Sequence, residues 1–189
     1  IDGAIEGLKT MAEWLGNQAK VNDQVAGGIR LIKDRAGMAF YRAGKYEKAV
    51  SFFQALIQAD PKNAQNYLGL AFCLNALGKN EEARAAAETA VKLAPENSDA
   101  HVALADSLSG KKDYAAAVES LKKAAAITPG NPWIYNRMGN AYYLLVDYPS
   151  AVENFKKASE LAPGVQAPLR SLMNINSRMA NYDEAISYA

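Results

Sequence analysis

The sequence predicts an all-α chain of consecutive helical hairpins, and three columns that return every 34 residues predict it. Pro61, Pro95, Pro129 and Pro163 form one column, and Ala49, Ala83, Ala117, Ala151 and Ala185 form a second. Tyr46, Tyr114, Tyr148 and Tyr182 form an aromatic third, broken by Asn80. A small residue at a fixed interval lets two helix backbones approach at each return. A proline at the same interval ends the second helix of each pair.

The window from Pro132 to Pro163 carries the full pattern. Asn131 is a good N-cap and Pro132 follows it at a position where the missing N–H costs nothing, so a helix begins there. Tyr135, Met138, Gly139 and Tyr142 fall on one face and are expected in the core. Asp147 caps a second helix that buries Tyr148, Ala151, Phe155 and Ala158 before Pro163 stops it. Gly139 and Ala151 leave room for close approach, and Tyr142 and Phe155 fill the space beside them.

The same register places repeats from Arg30, Ala64, Ser98, Pro132 and Gln166. The first has Gly37, Phe40, Gly44, Tyr46, Ala49, Phe53 and Pro61, with Lys33 where an aromatic is usual. The second keeps Tyr67, Leu70, Ala71, Leu74, Gly78, Ala83, Ala90 and Pro95, but has Ala87 where its neighbours have Phe or Leu. The third has Leu104, Ala105, Leu108, Tyr114, Ala117, Leu121, Ala124 and Pro129. The fifth reaches Tyr182 and Ala185 and is incomplete, since Ala189 falls inside its second helix; the parent chain is expected to continue or to have been trimmed there. Residues 1–29 do not fit the register. Ile5, Leu8, Met11, Ala12, Leu15 and Ala19 form an apolar stripe there, so a leader helix from Gly3 to Lys20 is expected, either capping the array or docking as an arm into another copy.

These columns resemble the tetratricopeptide repeat family over residues 30–189. The resemblance implies an all-α, right-handed superhelical solenoid of helix-turn-helix hairpins. It also implies a non-catalytic, protein-binding module.

Composition narrows the class. Half of the 189 residues are hydrophobic, 22% are charged and the formal charge is +1, which describes a folded chain and not a general nucleic-acid binder. The single cysteine cannot form an internal disulfide, so a reducing, cytoplasmic setting is expected. No run is long enough to span a membrane, and no signal sequence is visible.

The chemistry-bearing residues read as structural. His101, the sole histidine, stands in the column of Tyr67 and Tyr135 and has no Cys, Asp or Glu at ligand spacing. Cys73 shares a column with Ala39, Ser107 and Ala141, which marks a small buried hydrophobe with an inert thiol. Glu81 and Glu82 open a helix and Lys122, Lys123, Lys156 and Lys157 lie late on helices, as the helix dipole favours. There is no phosphate-binding glycine loop, zinc spacing or nucleophile set, so neither enzyme activity, a cofactor nor a metal is expected.

A binding face remains. In the family, the solvent side of each first helix lines the concave wall, which here comprises Asp34, Met38 and Tyr41, then Leu68, Phe72 and Asn75. Val102, Asp106 and Ser109 follow, then Trp133, Asn136, Asn140 and Tyr143, then Arg170, Asn174 and Ser177. Asn136, Asn140 and Asn174 can bond a peptide backbone and Arg170 can fork a carboxylate. Met38, Tyr41, Phe72, Trp133 and Tyr143 can take apolar side chains. Chaperone-binding members use Lys and Asn in the first repeat, where this chain has Asp34 and Met38. That argues against an acidic chaperone tail as ligand.

Val21-Asn22-Asp23, Lys33-Asp34-Arg35-Ala36-Gly37 and Arg42-Ala43-Gly44-Lys45-Tyr46 with Ala49-Val50 resemble a magnetosome-associated branch of the family. That resemblance implies a scaffold on the cytoplasmic face of the organelle, self-assembling through its N-terminal hairpin. The expected partners are proteins or peptides and a further copy of the chain. The alternative is the substrate-recruiting region of a larger enzyme whose catalytic domain lies beyond residue 189.

Overall fold

The computed structural model describes residue 10 and residues 35–187, with side-chain burial as far as Met179 except at position 176. The expected leader helix, apart from Thr10, and Asp34 lie outside the described residues. Among the described residues every regular element is an α-helix. These are α1 (35–42), α2 (Tyr46–Ala59), α3 (Ala64–Ala76), α4 (Asn80–Leu93), α5 (Ser98–Gly110), α6 (Tyr114–Ile127), α7 (Pro132–Leu144), α8 (Tyr148–Leu161) and α9 (Gln166–Ser187). The chain divides after Ala94 into two units, the first holding α1 to α4 and the second α5 to α9.

Local chemistry sets the helix boundaries. Asn63, Asn97 and Asn131 each accept a hydrogen bond from the backbone N–H two residues on, at 3.1, 3.0 and 3.0 Å, and so open α3, α5 and α7. Asp113 and Asp147 open α6 and α8 by accepting from Ala116 N and Ser150 N, both at 3.2 Å. Between the helices of each pair the backbone enters the left-handed region at Gly44, Gly78, Lys112 and Val146, with φ of 70°, 71°, 65° and 64°. The following N–H then returns to a carbonyl five residues back, as from Lys45 to Phe40 at 2.9 Å and Asp147 to Tyr142 at 3.0 Å. Glycine adopts this conformation freely. Val146 does so against the crowding of a β-branched side chain, and it is also 61% exposed.

Hairpin packing follows the column of small residues. In the first unit the fully buried Phe53 ring lies against Gly37 and Gly69, so closely that any Cβ on either glycine would collide with it. In the second, a Cβ on Gly139 would lie 2.7 Å from the Phe155 ring. The intervening repeats match size differently: buried Ala71 is in register with buried Ala87, and buried Ala105 with buried Leu121. Ala87 is therefore the counterpart of a slightly larger residue across the hairpin, not a void. Each buried ring contributes about 2–3 kcal/mol.

Two expectations are corrected. Tyr135 and Tyr142 are half-buried, whereas Ile134 and Ala141 are fully buried beside Met138 and Gly139. The cause is that α7 packs against α6 as well as α8, so its buried arc is wider than a single stripe. Leu68 (2% exposed), on a helix packed by both α2 and α4, and Val102 (7%), clustered with Ile134 and Met138, likewise belong to the core and do not line a groove.

The fifth repeat also departs from expectation. In place of a hairpin, α9 runs unbroken for 22 residues through Ala180, the position equivalent to Val146. Alanine favours helix over the left-handed turn. In addition, Met173 occupies the column of Gly37, Ala71, Ala105 and Gly139, where a returning helix needs a small residue. Pro168, Leu172, Ile175 and Met179 form its inner stripe, the last three against Ala151 and Phe155.

Ala151 is fully buried, so Ala151→Leu should overpack the α7–α8 hairpin at a cost of about 1–3 kcal/mol; an unchanged melting temperature would count against this packing. Val146→Gly should stabilise by about 1 kcal/mol through release of backbone crowding. Chemical denaturation of the two proteins measures it.

Candidate functional site

The residues proposed to bind a partner fall into one set on each unit. In the first unit, Met38, Tyr41 and Phe72 are all half-buried. The Tyr41 ring lies 6.5 Å from that of Phe72 and 5.4 Å from that of Tyr46, tilted in both cases, so the aromatic residues of α1 and α3 share one surface.

In the second unit, α7 presents Trp133 with half of its surface exposed (52%), Asn140 exposed, and Asn136 and Tyr143 half-buried. Arg170 and Asn174 are exposed one turn apart on α9, and Arg170 Nη2 donates to Gln166 Oε1 at 3.2 Å. Tyr143 is brought against Tyr148, 5.8 Å between ring centroids, and the Arg178 guanidinium stands 5.4 Å over the Tyr143 ring. Asn136 Oδ1 is buried and makes no hydrogen bond among the described residues. An acceptor left so costs about 1–3 kcal/mol, which a donating N–H would recover.

Two groups on this face were missed by sequence reasoning. Arg137 donates from Nε to Asp106 Oδ1 at 2.8 Å, joining α5 to α7 across 31 residues. Arg178 was passed over because its partner Tyr143 sits in another repeat. The signal available for both was the 34-residue register, which aligns Arg137 with Ala103 and Arg178 with Leu144. Those columns vary in residue type, so the register alone does not flag the pairs.

The residues with catalytic potential are engaged elsewhere. His101 is buried and its Nε2 bonds the carbonyl of Pro95 at 2.8 Å; Tyr67 hydroxyl donates to the carbonyl of Pro61 at 3.2 Å from the same column. Both side chains thus tie a first helix to the turn before it. Cys73 is fully buried, and burial pushes its thiol up to about 12. Among the described residues no three His, Cys, Asp or Glu side chains gather in a metal-binding group, and no helix is long and apolar enough to cross a membrane. A cleft of about 420 Å³ bordered by Tyr135, Glu153, Asn154, Lys156, Lys157 and Glu160 carries charges of both signs.

The repeat geometry defines a class, and sequence models of that class match along the chain. Tetratricopeptide repeat models match residues 40–108 and 134–164, and a TPR repeat model matches 110–146. The chain belongs to the tetratricopeptide repeat family. Its fold is that of MamA: one crystal structure of MamA is 22% identical with a TM-score of 0.68, covering 80% of this chain and 89% of that one. A thermophilic TPR protein in Thermus thermophilus is likewise 22% identical with a TM-score of 0.69, over 82% of this chain and 85% of the other. The first TPR of Spaghetti (RPAP3), bound to the HSP90 peptide SRMEEVD, is 21% identical with a TM-score of 0.61, over 64% of this chain and 96% of its own. No curated protein matches the sequence. Since 314 solved chains match, the fold by itself does not select a partner.

The position of Cys73 has a pH consequence. The folded thiol keeps its proton well above the ordinary 9.0, whereas the unfolded one loses it, so this contribution is intact below pH 9 and is lost as pH rises toward 12. Cys73→Ala should therefore show a shallower alkaline loss of stability, read from denaturant midpoints at about pH 8 and pH 10.

Proposed function

We propose that the chain is a protein-interaction scaffold without catalysis of its own, which holds an extended peptide or a partner helix in a concave groove lined by its first helices. In the second unit the contacts would be Trp133, Asn136, Asn140, Tyr143, Arg170 and Asn174. In the first they would be Met38, Tyr41 and Phe72. The observation that carries the reading is the buried Asn136 Oδ1, without a hydrogen bond among the described residues, beside exposed Asn140 and Trp133. An apolar anchor next to unspent amide groups suits a ligand that brings both side chains and backbone N–H groups. Use of this fold by the peptide-bound neighbour supports it.

The finer reading is a self-assembling scaffold on the cytoplasmic face of a magnetosome, with residues 1–29 acting as an arm that docks into another copy. Its support is the resemblance of Val21–Asp23, Lys33–Gly37 and Arg42–Tyr46 to the magnetosome-associated branch, together with the fold shared with MamA.

A photocrosslinker at Trp133 identifies the partner, and calorimetry then compares variants. Asn140→Ala with Arg170→Ala should weaken binding by about tenfold or more, with helicity unchanged; equal affinity removes these residues from the site. Deleting residues 1–20 should abolish any arm-mediated oligomer without unfolding the protein, whereas aggregation would identify a cap.

A further inference from the structure

In the second unit the turns from α5 to α6 and from α7 to α8 each hold a side chain in the left-handed region, Lys112 at φ 65° and Val146 at φ 64°, where the first unit has Gly44 and Gly78. A side chain there is crowded against the backbone, so both turns are less stable than their glycine counterparts. What the crowding retains is exposed at the surface. Val146 (61%) completes a run of three exposed aliphatic residues with Leu144 (49%) and Leu145 (41%), and Lys112 follows exposed Lys111. The two turns lie side by side. The N–H of Asp113 bonds the carbonyl of Leu108 at 2.9 Å and that of Asp147 bonds the carbonyl of Tyr142 at 3.0 Å, so each turn is hung from the last turn of its first helix. Leu108 and Tyr142 belong to one core cluster, and the Arg137–Asp106 pair also ties α5 to α7.

From this we infer that the edge where α5 and α7 end rests on an anionic lipid surface. Leu144, Leu145 and Val146 enter the boundary between headgroups and acyl chains, and Lys111 and Lys112 lie against the acidic headgroups beside them. The exposed Arg178 guanidinium, 5.4 Å over the Tyr143 ring, adds a third cation next to the aliphatic run, and the Tyr143–Tyr148 ring pair stands at the level where aromatic residues meet headgroups. The acidic residues of the two turns, Asp113 and Asp147, each direct a carboxylate oxygen inward to a helix start. Shape and area favour lipid over protein as the occupant. The aliphatic run sits on an exposed turn and not in a groove, and three side chains present far less than the roughly 1,000 Å² that a specific protein interface needs. A bilayer needs no matching counterpart. The inference is independent of the peptide groove, whose proposed contacts include neither the aliphatic run nor the lysine pair.

Flotation of residues 1–189 with vesicles of about seven parts phosphatidylcholine to three parts phosphatidylserine tests it, with circular dichroism as a check on folding. The wild-type chain should float with these vesicles, less so in high salt, and far less with phosphatidylcholine alone. Leu145→Asp with Val146→Gly should lower binding by about tenfold or more, and so should Lys111→Glu with Lys112→Glu, helicity being retained in both. Val146→Gly alone should lower binding by about fivefold although it relieves the backbone, so that weaker binding with an undiminished denaturation midpoint separates contact from folding. A wild-type chain that stays with the unbound fraction overturns the inference. So does binding indifferent to the Leu145 and Val146 substitutions, including binding that disappears on deletion of residues 1–20, which would assign the lipid contact to the leader. A dimer in sedimentation equilibrium that Leu145→Asp with Val146→Gly dissolves would assign the run to a second copy and overturn it equally.

Discussion

The fold depends on one steric condition: a helix pair can close only where one partner has almost no side chain. Phe53 between Gly37 and Gly69, and Phe155 on Gly139, are its clearest cases, since the rings occupy the volume in which a Cβ would lie. Once the backbones are that close, the flanking alanines, all fully buried at 49, 83, 117 and 151, complete the contact and turn the other side of each first helix outward. The surface available to partners is thus a by-product of the packing rule. Met173, in the same column of α9, does not satisfy it, and α9 runs on through Ala180 as one helix.

Polar residues are divided between two tasks. Asn63, Asn97, Asn131, Asp113 and Asp147 spend their side chains on helix starts, and His101 spends its ring on the turn before α5. Asn136, by contrast, is mid-helix with a buried amide oxygen unmatched among the described residues. Residues that close the backbone account for themselves; those that do not are where function is to be sought.

The hairpins were legible in the sequence because their determinants are local and periodic: Pro163, Ala151, Gly139 and the capping Asn131 and Asp147 each act within a turn or two. Burial was less legible. Leu68 and Val102 looked outward by the geometry of one helix, but α3 packs against both α2 and α4, and Val102 joins a cluster that includes Ile134 and Met138 of α7, which no single-helix projection contains. The continuation of α9 through Ala180 turned on the absence of a signal, since no residue there favours a turn. Of the candidate site, Trp133, Asn140, Arg170 and Asn174 could be read from spacing alone as outward-facing. The Arg137–Asp106 and Arg178–Tyr143 contacts could not, as each joins different repeats through columns of unlike residues.

The backbone bonds that close each turn join residues at most five apart. Chain connectivity therefore demands little long-range search, and folding can start in any one hairpin and spread to the next. A lesion confined to one repeat should accordingly loosen that repeat and its immediate neighbours first, so that the protein yields in segments under heat or pulling force and does not fail as a whole.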